Sequence, residues 1–211
     1  LADLVIPVGA VAVAADLELP DPASGLVMFA HGSGSSRHSP RNQMVAEWLR
    51  QRGFGTLLAD LLTPDEEAAD QHTGHLRFDI DLLAERVVGI VDHVPEQVTR
   101  LPVGLFGAST GAAAALLAAA QRPDVVRAVV SRGGRPDLAA AGLAAVTAPT
   151  LLIVGGADTQ VLELNRQAAR QIRTVCRLHV VPGATHLFEE PGALAEVAEQ
   201  AAAWFTAYFA T

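Results

Sequence analysis

Short apolar runs rich in β-formers alternate with longer amphipathic segments along the whole chain, and this alternation restricts the architecture more than any other feature. Strands are expected over 4–8, 10–19, 26–30, 56–61, 101–106, 125–130, 150–154 and 175–181, and helices over 43–52, 79–91, 110–121, 136–145, 161–172 and 191–209. Residues 63–77 read as a polar loop. The run Leu26-Val27-Met28-Phe29-Ala30 is apolar throughout, the pattern of a strand covered on both faces. Pro20 and Pro22 stop the strand before it, because proline lacks the amide that a strand continuation would use. The helix over 43–52 gathers Met44, Val45, Trp48 and Leu49 on one face and meets Gly53 at its end. Strands separated by helices need right-handed crossovers, which gives a mainly parallel sheet of about eight strands with helices on both faces.

With 211 residues, 50% of them hydrophobic, the chain can bury a substantial core as one domain. A net charge of −8 and the lack of any basic run argue against nucleic acid as a partner, and none is expected, since phosphate backbones would be repelled. The single cysteine, Cys176, leaves no internal disulfide. No stretch approaches the roughly 20 apolar residues of a membrane helix, and the N-terminus has no basic region of a signal peptide. A cytoplasmic protein, monomeric or a small homo-oligomer, is the expectation.

The segment Gly107-Ala108-Ser109-Thr110-Gly111 is a G-x-S-x-G sequence set between an expected buried strand and an expected helix. A serine on such a tight turn has strained backbone, and small residues two positions either side avoid collision. The turn also puts Ser109 at the positive end of the following helix. The plain alternative is a serine that merely caps a helix.

Other strand ends supply partners. The loop His31-Gly32-Ser33-Gly34-Ser35-Ser36 follows the third strand, and its small residues let amides approach a substrate oxygen. In an oxyanion hole one donor would be the amide of Thr110 and the other that of Ser33, with Gly32 or Gly34 as alternatives. Asp158 follows the strand at 150–154, and His186 follows the last strand. The order Ser109, Asp158, His186 fits a triad in which Asp158 orients the imidazole and His186 moves the Ser109 proton. Taken singly, Asp158 reads as a turn residue and His186 as a loop histidine; their joint order and placement favour the triad.

With these residues in view, the sequence resembles the α/β-hydrolase superfamily, and within it the small, lidless dienelactone-hydrolase-like branch. The resemblance spans nearly the whole chain, through HGSGSS, GASTG, SRGGRPD, TLLIVGGAD and PGATHLFEEPG. It implies the α/β-hydrolase fold as one domain over 1–211 without a lid. Ser109 is then the nucleophile, Asp158 the acid and His186 the base, with Ser33 and Thr110 as oxyanion donors. Dienelactone hydrolases proper carry cysteine at this turn. Serine stands here, and Cys176 lies in an expected strand, which points to ester hydrolysis more than to dienelactone itself.

Only residues 131–149 separate two of the strands, and the expected crossover helix uses most of them, so no lid fits and small or accessible esters suit the site. Arg132 or Arg135 could clamp a substrate carboxylate, and Arg37, His38 and Arg41 could face the same cleft. The plainer reading is that these arginines pair with Asp137, Asp60 or Glu189 and stiffen loops. Asp137 is the second choice for the triad acid. Phe188 either lines the pocket or packs in the core, while Trp48 and Trp204 read as core. His72 and His75 lack a good third ligand, so no metal is expected, and no other cofactor either. The acidic run at Asp65 marks a solvated face or a helix N-terminus. The expected activity is serine-dependent ester hydrolysis; thioester or lactone hydrolysis, acyl transfer, or a non-catalytic binding protein of the same fold are the alternatives.

Overall fold

The computed structural model describes residues 2–94 and 98–210. Its centre is an eight-stranded sheet ordered β1-β2-β4-β3-β5-β6-β7-β8. The strands are β1 (Ala2–Val8), β2 (Val11–Glu18), β3 (Leu26–Ala30), β4 (Gly55–Ala59), β5 (Val103–Ala108), β6 (Val126–Arg132), β7 (Thr150–Gly155) and β8 (Cys176–Val181). β1 and β2 form an antiparallel hairpin turned at Gly9, and β2 pairs antiparallel with β4. Every later pairing, from β4 through β3, β5, β6 and β7 to β8, is parallel. The parallel strands therefore end along one edge of the sheet, and the loops after β3, β5, β7 and β8 meet there.

The central strands β3, β4, β5 and β7 are buried at every position, as continuous apolar runs require when both faces are covered. One face packs under α1 (Pro40–Arg50) and α6 (Ala193–Phe209), where Val45, Leu49, Val197 and Phe205 meet Phe29, Phe106, Val130 and Ile153. The other packs under α3 (Ile80–Asp92), α4 (Thr110–Gln121) and α5 (Thr159–Gln171), where Val87, Ala115 and Ala168 join a core with Met28, Leu57 and Leu105. This is the α/β-hydrolase arrangement, and among the described residues no helical lid interrupts it. No helix of these residues is long and apolar enough to cross a membrane.

Several boundaries differ from the sequence reading. Residues 63–77 are not a loop: α2 (Pro64–Thr73) occupies most of them, started by a capping box in which Thr63 and Glu66 bond each other's backbone amides. The acidic run at Asp65 is the first turn of that helix. Pro136–Ala145 is a 3-10 segment rather than an α-helix, broken where Ala140 takes φ 40°. Helix α1 starts at Pro40, capped by Ser39, and its buried face is Asn42, Val45, Ala46 and Leu49; Met44 points outward. Trp48 is half-buried, packed against the edge of the core with Arg52 over its ring, whereas Trp204 is buried.

Candidate active site

The turn between β5 and α4 holds Ser109 at φ 52° and ψ −121°. A non-glycine residue reaches such angles only when its surroundings over-determine them. Here the Ser109 amide donates to the Arg132 carbonyl at the end of β6, and the amides of Ala112 and Arg135 donate to the Ser109 carbonyl. Both flanking glycines are sterically required. A Cβ on Gly107 would lie 2.4 Å from the Ala112 Cα, and one on Gly111 would lie 2.3 Å from the carbonyl oxygens of Ala30 and His31. Although Ser109 occupies the N-cap position of α4, its side chain makes no capping hydrogen bond. The plain reading of a capping serine therefore does not describe it.

The loops after β7 and β8 are joined by backbone bonds, Gly156 N–H to Val181 at 2.8 Å and Ala157 N–H to Ala184 at 2.9 Å. Gly155 lets them close: a Cβ there would meet the Ala184 carbonyl at 2.3 Å. This contact brings Asp158 to His186, whose Nδ1 lies 2.7 Å from Asp158 Oδ2. Nδ1 carries the proton in that bond, which leaves Nε2 as the basic nitrogen. Thr185 is fixed on the same loop by its hydroxyl and amide, which donate to Glu190 at 2.6 Å and 3.1 Å. The Thr185 hydroxyl holds the Glu190 carboxyl below its usual range. Gly133 lies against the histidine, and a Cβ there would approach the His186 carbonyl at 3.2 Å.

Ser109 and His186 line one cleft of about 250 Å³ with Gly32, Ser33, Arg132 and Leu187. Gly32 packs directly on the turn, since a Cβ there would lie 3.0 Å from Ser109 Cβ. Among the described residues, no hydrogen bond engages the amides of Ser33 and Thr110. His31 stiffens the loop they belong to. Its Nδ1 donates to the Gly32 carbonyl at 2.9 Å, and its Nε2 accepts the Leu61 amide at 3.0 Å. Burial outweighs the Gly32 bond and Asp60, so the imidazole sits below its usual pKa and stays neutral, as both bonds require. Gly34, with φ 68°, lines a second cavity that shares this loop.

The arginines separate clearly. Arg37 is turned to Asp60 and Asp16, away from the cleft. Arg135 is held bidentately by Asp137 at 2.9 and 2.8 Å, and the carboxylate bonded to His186 is that of Asp158, not Asp137. Arg41 lines the cleft 3.7 Å from Glu189. Arg132 also lines it, yet is only 6% exposed, has no carboxylate partner among the described residues, and donates to Asn42 Oδ1 at 3.2 Å. Burial, with Arg41 nearby, pushes its pKa down to about 10. Phe188 is 2% exposed with φ 55° and packs in the core under Gly133, not in the cleft. His72 bonds the Ala68 carbonyl of its own helix, and no metal-ligating cluster occurs among the described residues. Cys176 is half-buried, and burial pushes its thiol up to about 11.

Two groups escaped the sequence reading. Asn42 is a polar residue on the buried face of α1, and its 3.6-residue spacing with Val45, Ala46 and Leu49 was a usable signal. The ion pair of buried Asp70 with half-buried Arg77, beside the loop at 32–35, carried none, because it joins α2 to the short 3-10 turn Leu76–Phe78.

The profile of the dienelactone hydrolase family matches residues 11–211. A crystal structure of dienelactone hydrolase from Anabaena variabilis is 56% identical and covers 98% of this chain and 97% of its own, with a TM-score of 0.96. Est1E from Butyrivibrio proteoclasticus shares the fold at 18% identity, covering 99% of both chains with a TM-score of 0.81. A Mycobacterium tuberculosis protein named "Putative phosphoribosyl transferase" is 58% identical over 199 residues. That match takes in 93% of this chain but only 44% of the relative, so the chain spans less than half its length.

Proposed function

The chain belongs to the dienelactone hydrolase family, and from that membership we propose that it is a serine hydrolase of small or accessible carboxylic esters, working through an acyl-enzyme. The observation that carries this reading is a serine with an uncommitted side chain on a strained strand-to-helix turn, sharing a cleft with a histidine bonded to an aspartate. Ser109 Oγ attacks the ester carbonyl as His186 Nε2 takes its proton. Asp158 holds the imidazole in the Nδ1–H form and stabilises the imidazolium. The negative oxygen is received by the amides of Ser33 and Thr110. The bond to the alcohol breaks as His186 returns the proton to it, and water then enters by the same steps to release the acid. All of this chemistry is assigned to a single domain.

The cleft suits lactones and thioesters as well, because the nucleophile and base are the same. Arg132 is the one arginine of the proposed binding set that faces this cleft without a carboxylate; Arg37, Arg135 and Phe188 are engaged elsewhere. The transferase name of the mycobacterial relative is taken to describe the part of that protein outside the matched segment.

Hydrolysis of short p-nitrophenyl esters by wild type and Ser109→Ala, side by side, tests the proposal. The variant is expected to lose turnover by about 10³-fold or more while melting like wild type. Turnover retained in the variant would remove Ser109 as nucleophile.

A further inference from the structure

Three residues that line the Ser109 cleft, Gly32, Ser33 and Ser35, also line a second cavity, of about 230 Å³, which adjoins the cleft along their loop. Its remaining walls include Leu62 after β4, Gln71 of α2, Leu83 of α3, and the Asp70–Arg77 pair. Asp70 is 2% exposed and uses both carboxylate oxygens: Oδ1 accepts the Leu76 amide and Oδ2 accepts Arg77 Nε, each at 2.6 Å. Arg77 Nη2 donates to the Asp70 carbonyl at 2.7 Å. Only Nη1 is left without a protein partner among the described residues, and it lies 3.8 Å from where a Cβ on Gly34 would be. Burial opposes ionisation of Asp70, but the Arg77 guanidinium and the Leu76 amide outweigh it and hold the carboxyl below its usual range. The pair is therefore ionised and neutral overall. It presents the N–H groups of one nitrogen, Nη1, to the cavity with no net charge behind them.

We infer that this cavity is the acyl-group subsite of the proposed hydrolase, shaped for a compact, uncharged group whose acceptor oxygen binds Arg77 Nη1. The inference rests on the reading of Ser109 as nucleophile. A base that returns its proton to the departing alcohol must sit beside that alcohol. Ser109 and His186 both line only the first cleft, whereas Ser33, the proposed oxyanion donor, lines both, so the cavity is entered past Ser33 and is given to the acyl side, away from the base. Size sets the next limit. An apolar cavity of about 150 Å³ holds benzene, so this one takes a substituted ring or a short branched chain. Charge sets the last. A carboxylate here would compete with Asp70 for Arg77 and lie near Glu67, another wall residue, at a desolvation cost that no free cation in the cavity offsets. A neutral ether, hydroxyl or carbonyl oxygen meets Nη1 without that penalty.

Binding to Ser109→Ala separates this inference from turnover. The probe is 4-methoxybenzamide, titrated by calorimetry, with 4-carboxybenzamide as its charged counterpart. The neutral amide is expected to bind about ten-fold or more tighter than the charged one. Leu62→Phe fills the cavity, and Arg77→Lys keeps the charge facing Asp70 but removes the planar third donor; each is expected to weaken binding about ten-fold. Gln71→Trp, at an exposed wall position, fills the same space should Leu62→Phe melt early. No binding by the parent, undiminished binding in these variants, or preference for the charged amide would overturn the assignment. Fluorophosphonate labelling of wild type runs in parallel. Labelling at Ser109 without amide binding removes only the subsite, whereas absent labelling and absent ester turnover remove the hydrolase reading itself.

Discussion

Asp158 and Asp137 both follow a strand on the same edge of the sheet, yet only Asp158 meets the histidine. Asp137 instead faces Arg135. Asp158→Asn is therefore expected to cut ester turnover by about 10⁴-fold, because the imidazole is left in the wrong tautomer. Asp137→Asn loses a solvent-screened pair and should change turnover by less than about two-fold. Steady-state kinetics on the two variants decides, and the reverse order would move the acid. His31 makes a different prediction. Its folded-state pKa lies below 6.5, so its contribution to stability is complete above that pH and is lost as the pH falls. The melting temperature of wild type should drop between about pH 7 and about pH 5, and His31→Gln should flatten that slope. Equal slopes would mean that other groups set the acid sensitivity. That Ser109, Asp158 and His186 each stand just past a strand was legible in the sequence. The ion pairs of Arg37 and Arg135 were legible only as alternatives, because sequence does not say which acid an arginine will find across space.

Helix α2 is the clearest case of an element hidden from periodicity. Thr63-Pro64-Asp65-Glu66 carries every sign of a helix start, with a cap, a proline at the first turn and a glutamate three residues after the cap. The helix buries only Asp70, however, so no apolar face repeats along it, and its polar composition reads as loop. The segment Pro136–Ala145 misleads in the opposite way. Alanine favours an α-helix, but Gly142 is pressed onto Leu117 of α4, where a Cβ would meet its Cδ2 at 2.3 Å, and the segment breaks at Ala140. Helix α4 carries the prediction that belongs here. A methyl group on Gly111 would strike two backbone oxygens of the β3 end, which cannot rotate aside as a side chain could. Gly111→Ala should cost about 1–3 kcal/mol in urea unfolding and reduce turnover as the Thr110 amide shifts. An unfolding midpoint equal to wild type would show that α4 can slide.

The sheet has the Ser109 turn near the middle and its hairpin at one edge: β1 is four strands away from β5 in spatial order. It also lies outside the part matched by the family profile, which starts at residue 11. Yet Ile6 and Val8 are buried in the core with α3, and a Cβ on Gly89 would lie 2.6 Å from a Val8 methyl. Removal of residues 2–9 should therefore lower the melting temperature by several degrees, while turnover below the transition stays within about two-fold of wild type. Loss of activity before loss of fold would tie the edge to the site. The parallel order of the strands followed from the alternation of elements, whereas the spatial order β2-β4-β3-β5 depends on crossovers that leave no mark on any one segment. The imidazole of His31, bonded to the ends of β3 and β4, has one more consequence. The segment it braces is ordered once, when the chain folds, and not again at each encounter with an ester. Turnover on such a loop should show an Eyring plot dominated by activation enthalpy, with little entropy lost on the way to the transition state.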